Sequence, residues 1–347
     1  MKTNLSTSKD LRPKRRLLIW MQRMLSGLVI TLVALSAIGA VYRTVGAQSD
    51  KRNFPPPGQL YDVGGYRLHL YCTGPQNTGN PTVILETLSG GTSSLWAWIQ
   101  PEIAKATRVC SYDRAGRGWS EPSPRPIALQ QTVSDLHTLL QKAGVAGPYV
   151  LVGHSVGGIY VRKYAADYPN EVVGIVLVDS SHPDQFVRVP EEQAEKDAYL
   201  RMTAVFPTLA RLGIFRLYFA TGGEIDFQDL PPQQHDEVVA LWSSPEYFIS
   251  QRAEAVAEPA IFGEAHTLGS LGTLPLAVVS QGKEPPAYWV ELQDELAALS
   301  SNSIHITVVG STHGSLTINP KHAGETSGAI LQVVEASRTG RQLLASE

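Results

Sequence analysis

Cysteine is scarce in this chain of 347 residues: there are two, Cys72 and Cys110. Neither they nor the nine histidines fall into a metal-ligand spacing, and no nucleotide-binding loop is present, so no cofactor and no metal is expected. A strong charge imbalance is lacking as well. The formal net charge is −3 and 43% of residues are hydrophobic, which argues against a disordered chain and against a nucleic-acid binder. There is no internal repeat and no low-complexity tract. What charge there is lies unevenly. Up to Arg23 there are seven basic residues and one acid, leaving 22 basic and 31 acidic residues and a charge of about −9 on the remainder. An acidic body of that kind offers no electrostatic footing for nucleic acid or for an anionic membrane surface.

The basic head (1–23) leads into residues 24–42, MLSGLVITLVALSAIGAVY, which are 19 residues without a charge. That length can cross a bilayer core as a helix and exceeds the usual apolar stretch of a signal peptide. The positive-inside rule puts the basic end in the cytoplasm and the rest outside, so the lipid bilayer is an expected partner. The alternative is a secreted protein, cleaved after Val45-Gly46-Ala47. Residues 43–58, with Pro55-Pro56-Pro57, read as a linker to a body spanning 59–347.

The most informative stretch is Gly153-His154-Ser155-Val156-Gly157. A short β-branched run precedes it and a helical stretch follows it, ending before Pro169. The pentapeptide alone is a weak signal. Between a strand and a helix it is a strong one, because a sharp turn there holds a serine oxygen above a sheet. Ser155 is therefore the candidate nucleophile. Around it strands and helices alternate. A hairpin is expected over 59–72, strands at 81–85, 108–113, 148–152, 172–179, 275–280 and 304–309, and helices at 95–105 and 129–143. Antiparallel entry followed by repeated strand–helix units means a mostly parallel sheet covered on both faces.

The order of these pieces resembles the α/β-hydrolase fold from residue 59 to the end of the chain. Residues 112–120, YDRAGRGWS, are similar to the family's loop after its fourth strand. Gly153–Gly158 resemble its elbow, and Thr312-His313-Gly314 follow the last strand, where the family keeps its catalytic histidine. The resemblance implies an eight-stranded sheet with a helical cap after the sixth strand, here about 185–268. It also implies a serine hydrolase acting through an acyl-enzyme. A serine needs a base to take its proton, and the base needs an orienting acid. His313 is the base by chain order. Asp179, at the end of the sixth strand, is favoured as the acid over Glu284, which follows the seventh. His69, His154 and His305 read as structural. Oxyanion donors are expected from the amides of Val156 and Ser89, with Leu88 the next candidate. The aromatic residues of the cap read chiefly as core, with an inner face suited to a small, fairly hydrophobic ester.

Two other classes stay open: a catalytically silent binding protein of the same fold, and a triad enzyme of other chemistry (C–C hydrolase, peptidase or cofactor-free peroxidase). The fold that the resemblance implies also brings Cys72 and Cys110 onto neighbouring antiparallel strands. A disulfide and a pair of buried free thiols are both open there.

Overall fold

The computed structural model describes residues 12–76, 79–223 and 227–343. A 42-residue helix, α1 (Arg12–Asn53), comes first. Eight strands form one sheet: β1 (Gln59–Asp62), β2 (Arg67–Thr73), β3 (Thr82–Glu86), β4 (Val109–Tyr112), β5 (Tyr149–His154), β6 (Val172–Val178), β7 (Leu276–Gly282) and β8 (Ser303–Val309). Their order is β1-β2-β4-β3-β5-β6-β7-β8. The β1–β2 and β2–β4 pairs are antiparallel and the other pairs parallel.

The central strands are apolar on both faces because both faces are covered. Ile84, Leu151, Ile175, Leu177 and Val278 point to one side, where they pack with residues of α3 (Leu129–Lys142) and α4 (Gly157–Asp167). Their neighbours Val83, Leu85, Val152, Val176 and Val279 point to the other, against α2 (Ile99–Ile103) and, later in the chain, α13 (Pro320–Thr339). Period-two alternation thus feeds two cores rather than a core and a solvated face. Between β6 and β7 the described residues form the helices α5 (Gln185–Arg188), α6 (Pro190–Met202), α7 (Phe206–Arg211), α8 (Ile214–Ala220), α9 (Pro232–Trp242) and α10 (Pro245–Ala265). They form the cap. α11 (Ala287–Ala297) joins β7 to β8, and α12 (Ser315–Ile318) precedes α13. Phe206, Phe215 and Phe248 cluster within the cap with ring centroids 4.2–5.5 Å apart, each of them half-buried.

Two expectations are corrected. The helix expected over 95–105 is split into a 3₁₀ turn (Ser93–Trp96) and α2. Pro101 has no N–H to continue a helix from residue 97 but fits the first turn of a new one. Residues 43–53 are not linker: α1 continues to Asn53, and the chain leaves it just before Pro55-Pro56-Pro57. Nothing before those prolines breaks the helix, and ion pairs of Arg43 with Glu246 and of Asp50 with Arg216 hold it on the cap. Of the basic head, residues 1–11 lie outside the described residues.

Cys72 and Cys110 are directly opposed in the β2–β4 ladder and form a disulfide. Thiol titration of denatured, unreduced protein is expected to find none free, and Cys72→Ser to cost about 2–4 kcal/mol of stability. Two titrating thiols would contradict the bridge.

Candidate active site

Ser155 lies between the end of β5 and the start of α4 with φ 57°. A serine rarely adopts that left-handed conformation, and such strain persists only where its surroundings enforce it. They do so closely. A Cβ on Gly153 would stand 2.6 Å from the Gly157 backbone, and one on Gly157 2.7 Å from the Glu86 carbonyl oxygen. The Ser155 amide donates to the Val178 carbonyl at 3.1 Å, and the Ser155 carbonyl accepts from the Ser181 amide at 3.0 Å. The elbow is therefore stitched to the exit of β6, where Asp179 sits.

Asp179 is wholly buried and also left-handed, with φ 41°. Its Oδ2 is 2.6 Å from Nδ1 of His313. Its Oδ1 accepts from the Gln281 amide at 3.1 Å and from the Trp289 indole N–H at 2.8 Å. Burial alone would raise the carboxyl, but the His313, Trp289 and Gln281 partners outweigh it and hold the pKa below the ordinary carboxylate value. His313 is partly exposed and is fixed through its backbone: its amide donates to Oε1 of Gln281 at 3.0 Å, and its carbonyl accepts from Nε2 of buried His154 at 3.0 Å. With Nδ1–H directed at a carboxylate, Nε2 is left as the basic nitrogen. The His154 and His313 rings lie 4.7 Å apart, which brings His313 alongside the elbow. Glu284 is exposed, and no contact with His313 is formed. The position after β7 is served instead by Gln281, which braces both Asp179 and His313.

Among the described residues, the amides of Val156, Leu88 and Ser89 donate to no protein acceptor. Gly90 and Gly91 of the same loop are committed, to Glu254 at 3.1 Å and to the Leu88 carbonyl at 3.1 Å. Val156 lies at the N-terminus of α4, where the helix dipole favours negative charge.

A family profile described as the alpha/beta hydrolase fold matches residues 81–213. Solved structures agree over most of the chain. An enol-lactonase from Burkholderia xenovorans LB400 covers 80% of it and 100% of its own length at TM-score 0.54 and 20% identity. A haloalkane dehalogenase loop variant from Bradyrhizobium elkanii covers 82% and 99% at TM-score 0.63 and 18% identity. The chain has the α/β-hydrolase fold. Among curated relatives, an uncharacterized protein of Schizosaccharomyces pombe is 29% identical over 297 residues, 74% of this chain and 52% of its own length. An uncharacterized vacuolar membrane protein of Saccharomyces cerevisiae is 30% identical over 138 residues, 35% of this chain and 21% of its own. The chain thus spans about half the length, or less, of these relatives.

Within this α/β-hydrolase body a second Ser–His–Asp string is present. Nε2 of His305 is 2.6 Å from Oγ of Ser280, and its Nδ1 is 2.7 Å from Asp294. Ser280 is buried within β7, on an ordinary strand backbone with no turn to present it. The string ties β7 and β8 to α11, and His305 is structural as its sequence setting suggests. His69 is structural too, buried and bonded to Asp113 at 2.9 Å.

The loop after β3 is held by a buried charge network that the sequence reading missed. Arg114 donates to the carboxylates of Glu86 and Glu254 and to the carbonyls of Thr87 and Leu88. Arg117 donates to Glu254 at 2.6 Å. Glu254, on α10, also accepts from the Ser89 hydroxyl at 3.1 Å. Burial would raise its pKa, but the two guanidiniums outweigh that and push it down to about 2. The cap's inner side is therefore charged where it meets this loop, not apolar throughout as expected. The arginines stand in the 112–120 motif and could have been suspected. Glu254, Trp289 and Gln281 carry no sequence signal, because only the tertiary packing of α10, α11 and β7 aims them at the site.

Burial, with His313 close by, pushes the pKa of His154 down to about 3. The unfolded chain would titrate that imidazole near the ordinary value of 6.5. Between those two values the unfolded state binds a proton that the folded state does not, so stability falls as pH falls through that window. The loss from this group reaches about 2 kcal/mol by about pH 5. Denaturant unfolding at about pH 7 and pH 5 is expected to show it, and His154→Asn to shrink the difference. Equal stability of the native protein at both values would contradict it.

Proposed function

We propose that the protein is a membrane-anchored serine hydrolase that cleaves a carboxylic ester or a related carbonyl bond. Ser155 Oγ attacks the carbonyl carbon while Nε2 of His313 takes its proton, and Asp179 orients the imidazole and stabilises the resulting cation. The amides of Val156 and Ser89 receive the oxyanion. Collapse of the tetrahedral species breaks the bond to the leaving alcohol, which receives the proton from His313. Water, deprotonated by the same imidazole, then attacks the acyl-enzyme and restores Ser155. The observation that carries this reading is the 2.6 Å bond between His313 and a buried Asp179, beside a serine held left-handed at an elbow. A silent binding protein would have no use for that arrangement.

The membrane reading is supported by the apolar exposed part of α1, with a mean hydropathy of 2.3 over its most apolar window. The name of one yeast relative also speaks of a membrane. Cleavage after Ala47 would discard Gly39 and Arg43, which touch the cap, so the uncleaved form is favoured. Purified protein is expected to react with a fluorophosphonate and to turn over a panel of p-nitrophenyl esters. Failure to do either would overturn the hydrolase reading.

A further inference from the structure

We infer that the α7–α8 side of the cap is seated in the head-group layer of the bilayer that α1 enters. This rests on the membrane-anchor reading above and adds a second membrane contact. The half-buried positions of α1 include Ser36, Gly39, Arg43, Gly46 and Asp50, a stripe at helical spacing along one face. That stripe docks on the cap. A Cβ on Gly39 would collide with the Leu212 carbonyl, and one on Gly213 would stand 2.8 Å from the Gly39 carbonyl oxygen and 3.3 Å from the Tyr42 ring. Gly39 lies inside the uncharged window 24–42, which at 1.5 Å per residue is about 28 Å long and matches a bilayer core. If that window fills the core, the Leu212–Gly213 turn stands about 5 Å inside its outer end. The cap cannot then remain clear of the interface.

The surface at that level has the matching chemistry. Ile214, Leu217 and Tyr218 share one face of α8 and are 46%, 52% and 50% exposed; Met202 and Val205, just before α7, are 59% and 56% exposed. Residues 199–223 contain three arginines and no acid, a local exception on an acidic body. Of the three, Arg201 and Arg211 are exposed, while Arg216 is paired with Asp50. Apolar side chains flanked by arginine and tyrosine are the composition of an interfacial segment on anionic lipid.

The test uses the full chain in phosphatidylcholine–phosphatidylglycerol vesicles. The native cysteines are bridged, so one introduced thiol at a time can carry an environment-sensitive fluorophore without reduction. Labels are placed at Leu217→Cys and Ile214→Cys on the cap, Leu28→Cys in the window, and Gln332→Cys on α13, and are quenched with lipids bearing a nitroxide near the head group or deep in the chain. The expected result is a blue shift and loss of intensity at 214 and 217 with the shallow nitroxide, loss at 28 with the deep one, and no change at 332. Quenching at 28 without any at 214 or 217 overturns the proposal and leaves the anchor standing. No quenching at 28 overturns the anchor reading and this inference with it. Quenching at 332 equal to that at 217 would mean general adsorption of the body, which also overturns it.

Discussion

Ser155→Ala is expected to lower kcat by about five orders of magnitude or more while leaving the protein folded. The size of the effect follows from the mechanism: without the oxygen no acyl-enzyme forms, and only binding and oxyanion stabilisation remain. Turnover of an activated ester by the variant, measured beside its thermal unfolding curve, separates lost chemistry from lost fold. Ser280→Ala is expected to leave turnover within a few-fold of the native value, although that serine also bonds a histidine whose other ring nitrogen faces an aspartate. Its burial within β7 denies it a substrate. If Ser280→Ala silences the protein and Ser155→Ala does not, the wrong string has been assigned.

Asp179→Asn carries the second large effect, a loss of about 10³–10⁴-fold in kcat. An asparagine can keep the bond to the Trp289 indole, but it no longer presents a charged acceptor to Nδ1 of His313. The imidazole then loses both its tautomer and the stabilisation of its cation. Glu284→Gln is expected to change turnover by less than about twofold, since an exposed carboxylate is screened by water. The reverse pattern would move the acid to the loop after β7. A smaller test of the same geometry is Gln281→Ala, which removes the acceptor of the His313 amide while leaving the backbone donor to Asp179 in place.

Much of this was legible because the informative residues are held by local rules. Ser155 stands where a β-branched run meets a helix between glycines, and the sharp turn this implies is seen in its φ of 57°. Strand positions followed from apolar runs bounded by glycine and proline, and the opposed cysteines followed from the antiparallel β2–β4 pair. The choice between Asp179 and Glu284 could not be made as firmly, since both end strands and both are left-handed in the structure. What separates them is burial and the partners Trp289 and Gln281, which lie more than a hundred residues away from Asp179. The extension of α1 to Asn53 escaped notice for the same reason. Its last turns are held by the cap through Arg216 and Glu246, contacts to which no local pattern points.

The most direct measurement is the mass of the peptide modified by a fluorophosphonate, read by tandem mass spectrometry after digestion of the full-length protein. One adduct per chain is expected, on Ser155, and none on Ser280. An adduct on any other serine, or an unmodified Ser155 in protein that still hydrolyses esters, would contradict the assignment of nucleophile and elbow.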